Sequence, residues 1–224
     1  MASDGHWLPP RIYGDEVSIH VPSFESNTIT DVLAQIVSPG TWLDGHNRRA
    51  IAERSRLLAA GSQTPITAGD GDQFAQIAQV VDRITLSAQE IRPDWLALMA
   101  RAGVSPTTMV EIVGIVARIQ AIDTYAFALG VPQFELPSAV PGEPGRIKIN
   151  DAGINAGWLP TVGRASPPNV LSVVPDDLES MMDLHEALYL SLEQMGNLDV
   201  NRGLHRTQME LVAGRTSFIN ECFY

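Results

Sequence analysis

The amino-acid sequence predicts an all-α protein, and three observations support that prediction. Apolar residues recur at steps of three and four through most of the chain, which is the spacing of one face of a helix. Prolines and glycines stand where these periodic segments begin and end, as they do at helix termini. Segments with the alternation of a half-buried strand are nearly absent. We therefore expect a bundle of helices.

The first 130 residues divide into an arm and a predicted helical unit. Residues 1–27 contain three prolines among mixed polar residues, so we interpret them as an N-terminal arm. Helical periodicity begins at Asn27, and residues 28–130 form the predicted unit. Its helices are predicted from the segments NTITDVLAQIV, DGHNRRAIAERSRLLAAG, DQFAQIAQVVDRITLSAQEI, PDWLALMARAG and SPTTMVEIVGIVARIQAIDTYAFALG, and QTPITAGDGD is predicted to be a loop.

The second of these predicted helices carries four arginines. Asp44 stands at its start and is the predicted N-cap, because a short acidic side chain can accept a hydrogen bond from the first turn. Arg48, Arg49, Arg54 and Arg56 follow within the helix. We interpret these arginines as a solvated face, since arginine is mostly found on protein surfaces.

A stretch rich in proline and glycine separates this unit from the rest of the chain. Residues 131–169 contain seven prolines and five glycines. Because this is too long for an ordinary connection, we interpret it as the joint between two units. Residues 170–224 form the second predicted unit, with helices expected in PDDLESMMDLHEALYLSLEQMG and NRGLHRTQMELVAGRTSFINECFY.

Two of the predicted helices align with each other, so that Glu111 falls on Glu210. The apolar positions that follow match in kind, and each copy is preceded by another helical segment. At the position of Cys222 the earlier copy has Asp123, so the later copy alone offers a thiol. A true internal repeat and a chance match of two amphipathic helices both stay open.

The composition indicates which partners to expect. A formal net charge of −11 would repel the phosphates of nucleic acids and an anionic membrane surface, so we expect neither as a partner. We identify no apolar run near the roughly 20 residues that span a bilayer, and no secretion signal at the N-terminus. The single cysteine cannot form an internal disulfide, which is typical of a reducing compartment. We therefore expect a cytoplasmic protein.

Three segments resemble a known family. GLHRTQMELVAGRTSFINECFY resembles the helix leading into the active site of AhpD-like alkylhydroperoxidases, in the peroxidase-related branch of the carboxymuconolactone decarboxylase superfamily. In that family a glutamate, eleven further residues and Cys-x-x-Cys are followed by a histidine, and the spacing from Glu210 to Cys222 matches. PPNVLSVVPDDLESMMDLHEALY resembles the preceding segment, and WLALMARAGVSPTTMVEIVGIVARIQAIDTYAFALGVP resembles the accompanying cysteine-free half. The resemblance covers roughly residues 90–224.

The resemblance implies both a fold and an activity. The implied fold is an AhpD-like helical bundle, with two related units joined by the proline-rich stretch. The implied activity is that of an antioxidant peroxidase, a thiol-dependent hydroperoxide reductase with Cys222 and Glu210 as catalytic residues. It also implies a thiol reductant as a partner, a homo-oligomer, and neither a cofactor nor a metal. A monomeric mass in solution would contradict the oligomer.

The sequence departs from the family pattern at one point. The second cysteine would stand at position 225, and the histidine would follow it, but the sequence ends at Tyr224. A selenocysteine codon read as a stop, gene decay or a deliberate truncation would each give this ending. We therefore expect at most feeble peroxidase activity, because a sulfenic acid on Cys222 would lack its resolving partner.

The chemistry of Cys222 sets a requirement on the local fold. A thiol attacks a peroxide as the thiolate, and the N-terminus of a helix favours that anion. Asn220 belongs to the residue types that cap helix N-termini, and if it capped a further helix, Cys222 would lie in the first turn of that helix. On one straight helix Glu210 and Cys222 would be about 18 Å apart, and they meet only if the helix breaks near Asn220.

Two alternatives from other functional classes stay open. The first is a non-catalytic helical scaffold or oligomerisation module, which a buried and inert Cys222 would favour, whereas an exposed and reactive thiol would favour the redox enzyme. The second is a decarboxylase-like or lactone-handling enzyme, which needs a convergent polar pocket that the sequence does not reveal. His185 and Glu186 resemble a metal-binding pair only superficially, because no second pair of ligands stands at a suitable spacing.

Overall fold

The structure is a computed structural model that describes residues 21–62, 72–155, 157–164, 166 and 169–222. Most of the predicted N-terminal arm and most of the QTPITAGDGD loop lie outside these residues. Within them the chain forms α1 (Ser23–Ile36), α2 (Gly45–Ala59), α3 (Asp72–Ser87), α4 (Pro93–Arg101), α5 (Pro106–Leu129), α6 (Pro175–Leu188), α7 (Leu192–Met195) and α8 (Arg206–Ile219). Two short antiparallel strands, β1 (Ala152–Gly153) and β2 (Thr161–Val162), complete it. The prediction of an all-α protein is confirmed.

Helix α5 lies at the centre of the bundle. It packs against α1, α2, α3 and α6, and its apolar side chains are buried in the main core. Ser105 caps its N-terminus by accepting a hydrogen bond from the Thr108 N–H at 3.1 Å, and Gly130 ends it in the left-handed conformation. The local sequence therefore defines both ends of this helix.

The apolar character of α5 extends over its whole length. By length and composition the helix is long enough to cross a membrane, so the expectation that no such run exists is wrong at this position. In the described residues α5 packs against four other helices, and 44% of its most apolar window is buried. It also carries two buried charged side chains, Glu111 and Arg118. Its composition is that of the core helix of a bundle.

Helix α6 follows the proline-rich stretch and returns to the same core. It packs on α1 and α5, and its Leu184 belongs to the hydrophobic cluster that also contains Ile29 and Ile115. Among the described residues α6 therefore shares a core with helices of the first predicted unit. The division of the chain into two related units stays a prediction.

Part of the proline-rich stretch is tied to the turn between α1 and α2 by backbone hydrogen bonds. The N–H of Val140 donates to the carbonyl of Val37 at 2.9 Å, and that of Gly145 donates to Gly40 at 2.8 Å. These bonds satisfy backbone groups that form no helix or strand of their own. The stretch thus covers one end of the helical bundle.

Helix α8 differs from the other long helices because its apolar side chains face solvent. Leu211 is 74% exposed and Phe218 is 82% exposed, whereas Ile112 and Ile119, with which they align in the sequence, are fully buried in α5. The two helices thus share a pattern but not an environment. The predicted homo-oligomer, which would cover such a face, stays a prediction.

Candidate functional site

Glu210 lies in the first turns of α8 and contacts residues at the end of α6. Its carboxylate accepts a hydrogen bond from the Tyr189 hydroxyl and forms an ion pair with Arg206 at 2.9 Å. The Arg206 guanidinium also donates to the Tyr189 oxygen at 2.9 Å. Glu210 is half exposed, whereas Arg206 is almost fully buried. The three side chains therefore form one hydrogen-bonded cluster.

Cys222 lies beyond the C-terminal end of α8 and is exposed. Asn220 is the C-cap of this helix, and Glu221 follows with a positive φ of 52°. The Cys222 N–H donates to the Ser217 carbonyl at 2.9 Å and the Glu221 N–H donates to Phe218 at 3.3 Å, which is a Schellman motif. Asn220 therefore ends α8 and does not begin a further helix within the described residues.

The structure does not bring the two predicted catalytic residues together. Helix α8 continues without interruption from Arg206 to Ile219, so about 14 Å of helix separates Glu210 from Ile219. Cys222 lies beyond that end. Glu210 is bonded to Tyr189 and Arg206 instead. The catalytic role of both residues stays a prediction.

A cavity of about 740 Å³ lies close to the cluster around Glu210. Helices α3 to α7 and the segment between β1 and α6 form its walls. Its lining residues are Val80, Ile84, Ile91, Trp95, Leu96, Met109, Val110, Val113, Gly157, Trp158, Leu159, Thr161, Ser166, Val170, Met181, Met182, His185, Leu192 and Met195. This volume lies within the range of small-molecule binding sites, which are concave and mostly apolar with few polar groups.

The walls of the cavity are both apolar and adaptable. Four of its lining residues are methionines, whose unbranched thioethers fit irregular apolar shapes. Trp158, Val170 and Leu192 are about half exposed, so the cavity opens to solvent beside them. Large apolar side chains gathered at an opening are typical of a binding surface rather than of a closed core.

Among the described residues that line the cavity, His185 is the one ionisable residue. Its Nδ1 lies 2.6 Å from the carbonyl oxygen of the fully buried Leu190. Because a carbonyl can only accept, Nδ1 is the protonated nitrogen, and in the neutral imidazole Nε2 then carries the lone pair. The ring of Tyr189 stands edge-on to the imidazole at a centroid distance of 5.3 Å.

The Tyr189 cluster supports the position of His185. Burial raises the pKa of the Tyr189 hydroxyl, and the neighbouring Glu210 raises it further, so the phenol stays protonated and donates a hydrogen bond to the carboxylate. The Arg206 guanidinium lies over the Tyr189 ring at 5.6 Å. Glu210 therefore reaches the cavity only indirectly, through the aromatic ring that packs against His185.

Sequence reasoning missed His185, because it was considered only as one half of a metal pair with Glu186. A signal was present, since His185 and Tyr189 stand four residues apart and such residues share one face of a helix. Among the described residues no group of three or more His, Cys, Asp or Glu side chains has the arrangement of a metal site. The described residues that line the cavity together with His185 are mostly apolar or aromatic.

A second polar cluster lies in the middle of the bundle. Arg48 of α2 forms ion pairs with Glu111 of α5 and, at 2.9 Å, with Asp177 of α6. Arg118 of α5 also pairs with Asp177, and it donates to the Ser180 hydroxyl at 2.8 Å. All four charged side chains are fully buried. The interpretation of Arg48 as part of a solvated face is therefore wrong.

In this buried cluster, burial and ion pairing shift the pKa values of the charged groups in opposite directions. Burial raises the pKa of Asp177, but Arg48 and Arg118 lower it more, so its pKa lies below the ordinary value. Burial and the charge of Asp177 raise the pKa of Glu111 despite its pairing with Arg48. Burial lowers the pKa of Arg118 to about 10. Two cations and two carboxyl groups thus lie in mutual contact, which fits a structural role.

The other predicted surface arginines are also engaged. Arg54 pairs with Asp82, and Arg56 pairs with Asp123 at 2.8 Å. Asp123 is the residue that aligns with Cys222 in the sequence, and here it joins α5 to α2. These partly buried pairs explain why α2 carries so many arginines.

A further cavity of about 460 Å³ lies between α1 and α6. Most of its polar lining is acidic, with Asp31, Asp176, Glu179, Asp183 and Glu186 around it. These carboxylates explain part of the negative net charge. They do not converge on one point that would hold a metal, as judged over the described residues.

Comparison of the chain with protein-family models, with curated proteins and with solved structures gives no match. The resemblance to AhpD-like alkylhydroperoxidases therefore stays a prediction that rests on the sequence segments alone.

Proposed function

We propose that this protein binds a hydrophobic small molecule in the cavity beside His185. The observation that carries the proposal is the cavity itself, which has a volume of about 740 Å³ and mostly apolar walls, with a single ionisable side chain among its described lining residues. Apolar surface removed from water contributes roughly 25 cal/mol per Å². An apolar ligand would bury its own surface and that of the walls together.

The lining residues support binding rather than incomplete packing. Cores of globular proteins are packed to nearly crystalline density and contain few large voids. Here Trp95, Trp158 and four methionines surround open space that reaches the solvent. Because the opening is bordered by exposed apolar side chains, a hydrophobic molecule can enter without crossing a charged rim.

A variant that fills the cavity tests this function. Val113 of α5 lines the cavity, and Val113→Trp would occupy part of its volume. We expect N-phenyl-1-naphthylamine, a neutral hydrophobic fluorophore, to bind the unmodified protein in a saturable manner. In Val113→Trp its Kd should rise about tenfold or more, which corresponds to a loss of about 1.4 kcal/mol. Fluorescence titration measures both values.

The control replaces a valine away from the cavity. Val140 lies in the proline-rich stretch and is 44% exposed, so Val140→Trp adds the same side chain without filling the cavity. Its Kd should stay within about twofold of the unmodified protein. Equal affinities for Val113→Trp and the unmodified protein, with both shown to be folded by circular dichroism, would refute the proposal.

We propose thiol-dependent hydroperoxide reduction as a second candidate function, and the exposure of Cys222 favours it. A Cys222 thiolate would take one oxygen from the hydroperoxide, giving a sulfenic acid and an alcohol. Two equivalents of an external thiol reductant would then restore the thiol and release water as they form a disulfide. Because Cys222 lies after a helix C-terminus and is not bonded to Glu210, we expect the reaction to be slow.

Replacing the thiol tests this second function. We expect the unmodified protein to consume cumene hydroperoxide in the presence of dithiothreitol at a low but measurable rate, and Cys222→Ser to reduce the rate to that of the buffer. Ser217→Ala on the same helix serves as the control and should leave the rate unchanged. A rate that Cys222→Ser does not alter would contradict a peroxidatic role of this cysteine.

A further inference from the structure

The cavity beside His185 offers very few polar groups to a ligand. Thr161 is buried, and its hydroxyl already donates to the Gly163 carbonyl at 3.1 Å. It also lies 3.3 Å from the Asn155 side-chain amide, from which it can accept. His185 is the one ionisable member of the lining in the described part of the chain, and Ser166 adds a second hydroxyl. A ligand with several polar groups would therefore leave most of them without partners, which is costly in an apolar environment.

The available atom of His185 is Nε2. The Nδ1 atom is committed to Leu190 at 2.6 Å, and the ring face is positioned by Tyr189. No hydrogen-bond partner of Nε2 is present among the described residues. Because the opposite side of the ring is anchored, Nε2 is held in one place instead of being free to rotate with the side chain.

We propose that the ligand is a monocarboxylic acid with a long apolar chain, whose carboxyl group binds Nε2 of His185. This inference rests on the proposed function, because it names the class of molecule that the cavity takes. The apolar chain would lie among the methionine and tryptophan side chains, and the head group would lie at the imidazole. The single carboxyl group of the ligand would thus meet Nε2 of His185, whose ring is held in place.

The chemistry of the pair explains the preference for an acid. A neutral carboxylic acid donates a hydrogen bond to the lone pair of Nε2. If the proton moves to the imidazole, the carboxylate accepts from the resulting N–H, and the two opposite charges remain in contact. The pair is hydrogen-bonded in both states, whereas an ester provides no donor to Nε2 and an alcohol provides only a weaker one.

Three probes with one common chain separate the head group from the chain. Dodecanoic acid, 1-dodecanol and methyl dodecanoate are each titrated against bound N-phenyl-1-naphthylamine, below their solubility limits. We expect the acid to compete about tenfold more strongly than the ester, with the alcohol in between, since hydrogen bonds to charged groups are the stronger ones. Equal competition by all three would overturn the inference and leave the proposed function intact.

Variants of His185 and a direct measurement complete the test. In His185→Leu the advantage of the acid over the ester should shrink to about twofold, while the affinity for the ester stays the same, and His185→Gln should restore part of the advantage. If both variants fail to fold, the ring nitrogens of the unmodified protein are followed by ¹⁵N NMR. Addition of the acid should shift the Nε2 resonance, and the ester should not.

Each outcome has a distinct meaning. An Nε2 resonance that responds equally to acid and ester, or an acid advantage that persists in His185→Leu, would overturn the carboxylate inference. Failure of N-phenyl-1-naphthylamine to bind at all would refute the proposed function together with the inference. Binding of the fluorophore without discrimination between the head groups would refute the inference alone.

Discussion

Asp177→Asn is expected to lower the free energy of unfolding by about 3–5 kcal/mol. The Asp177 carboxylate accepts hydrogen bonds from Arg48 and Arg118, and all three side chains are fully buried. An asparagine would leave two guanidinium groups with a single buried carboxyl group, that of Glu111. Urea unfolding followed by far-ultraviolet circular dichroism measures the change.

The adjacent residue provides a matched control. Asp176 lies in the same first turn of α6 but is exposed. Asp176→Asn therefore removes the same charge from the positive end of the helix dipole without breaking a buried pair, and we expect it to cost less than about 1 kcal/mol. Similar losses for Asp177→Asn and Asp176→Asn would show that the buried cluster does not stabilise the bundle.

The loss of stability caused by Asp177→Asn is expected to depend on pH. The pKa of Asp177 is lower in the folded protein than its ordinary value of about 3.9. The carboxylate therefore contributes its stability above that ordinary value, and the contribution is lost as pH falls through the lower folded pKa. The gap between the unmodified protein and Asp177→Asn should be full at neutral pH and shrink in strong acid.

The positions of most helices follow from signals that are local in the sequence. The serine and proline before α5 and the glycine after it define the observed limits of that helix. Asp44 caps α2 as predicted, since its carboxylate accepts from the Asn47 N–H at 2.8 Å. These signals act within a few residues, so a single sequence contains all that is needed to interpret them.

Two boundaries were predicted wrongly for reasons that are also local. Helix α1 begins at Ser23 rather than at Asn27, with Pro22 at its N-cap position. The segment predicted as one helix after residue 174 is divided at Tyr189, whose backbone leaves the helical region. Ser191 and Gln194 form a capping box that begins α7, so the signal for this break was present in the sequence but was masked by the apolar periodicity.

The candidate site depends on contacts that no local pattern records. Arg48 and Asp177 lie 129 residues apart in the chain, and nothing in the spacing of α2 distinguishes Arg48 from the other arginines of this helix, which are only partly buried. The same is true of His185, whose importance arises because five helices and the segment before α6 surround one cavity. Predicting such contacts requires knowledge of the tertiary arrangement, whereas predicting the fold class requires only the periodicity of the apolar residues.

Cys222 is exposed and lies after the C-terminal end of α8 rather than in the first turn of a helix, as far as the described residues extend. Glu210 lies in the last helix, as predicted from the sequence. The sequence did not predict that Tyr189 and Arg206 would engage the carboxylate. The identity of a side chain can be taken from a motif, but its partners are determined by the packing of α8 against the end of α6.

The second large effect is expected at the start of α2, where Gly45→Ala should lower the free energy of unfolding by about 3 kcal/mol. A Cβ at this position would lie within 3.0 Å of the carbonyl oxygens of Val37 and Val140. Both are backbone atoms, so no side chain can turn aside to make room. The Val140 N–H also bonds the Val37 carbonyl, and separating the two segments would strain that bond. Thermal and urea unfolding both measure the loss.

Gly214→Ala is the control, because it makes the same change in α8. Neither glycine has a positive φ, and a Cβ at Gly214 would meet no atom within 4 Å. Alanine favours the helix over glycine by about 1 kcal/mol, so this variant should be neutral or more stable. Both substitutions add one methyl group to a helical glycine. The difference between their free energies of unfolding therefore reports the contact of the added methyl group with Val37 and Val140. If Gly45→Ala is as stable as Gly214→Ala, the proline-rich stretch does not lie against α2 as described.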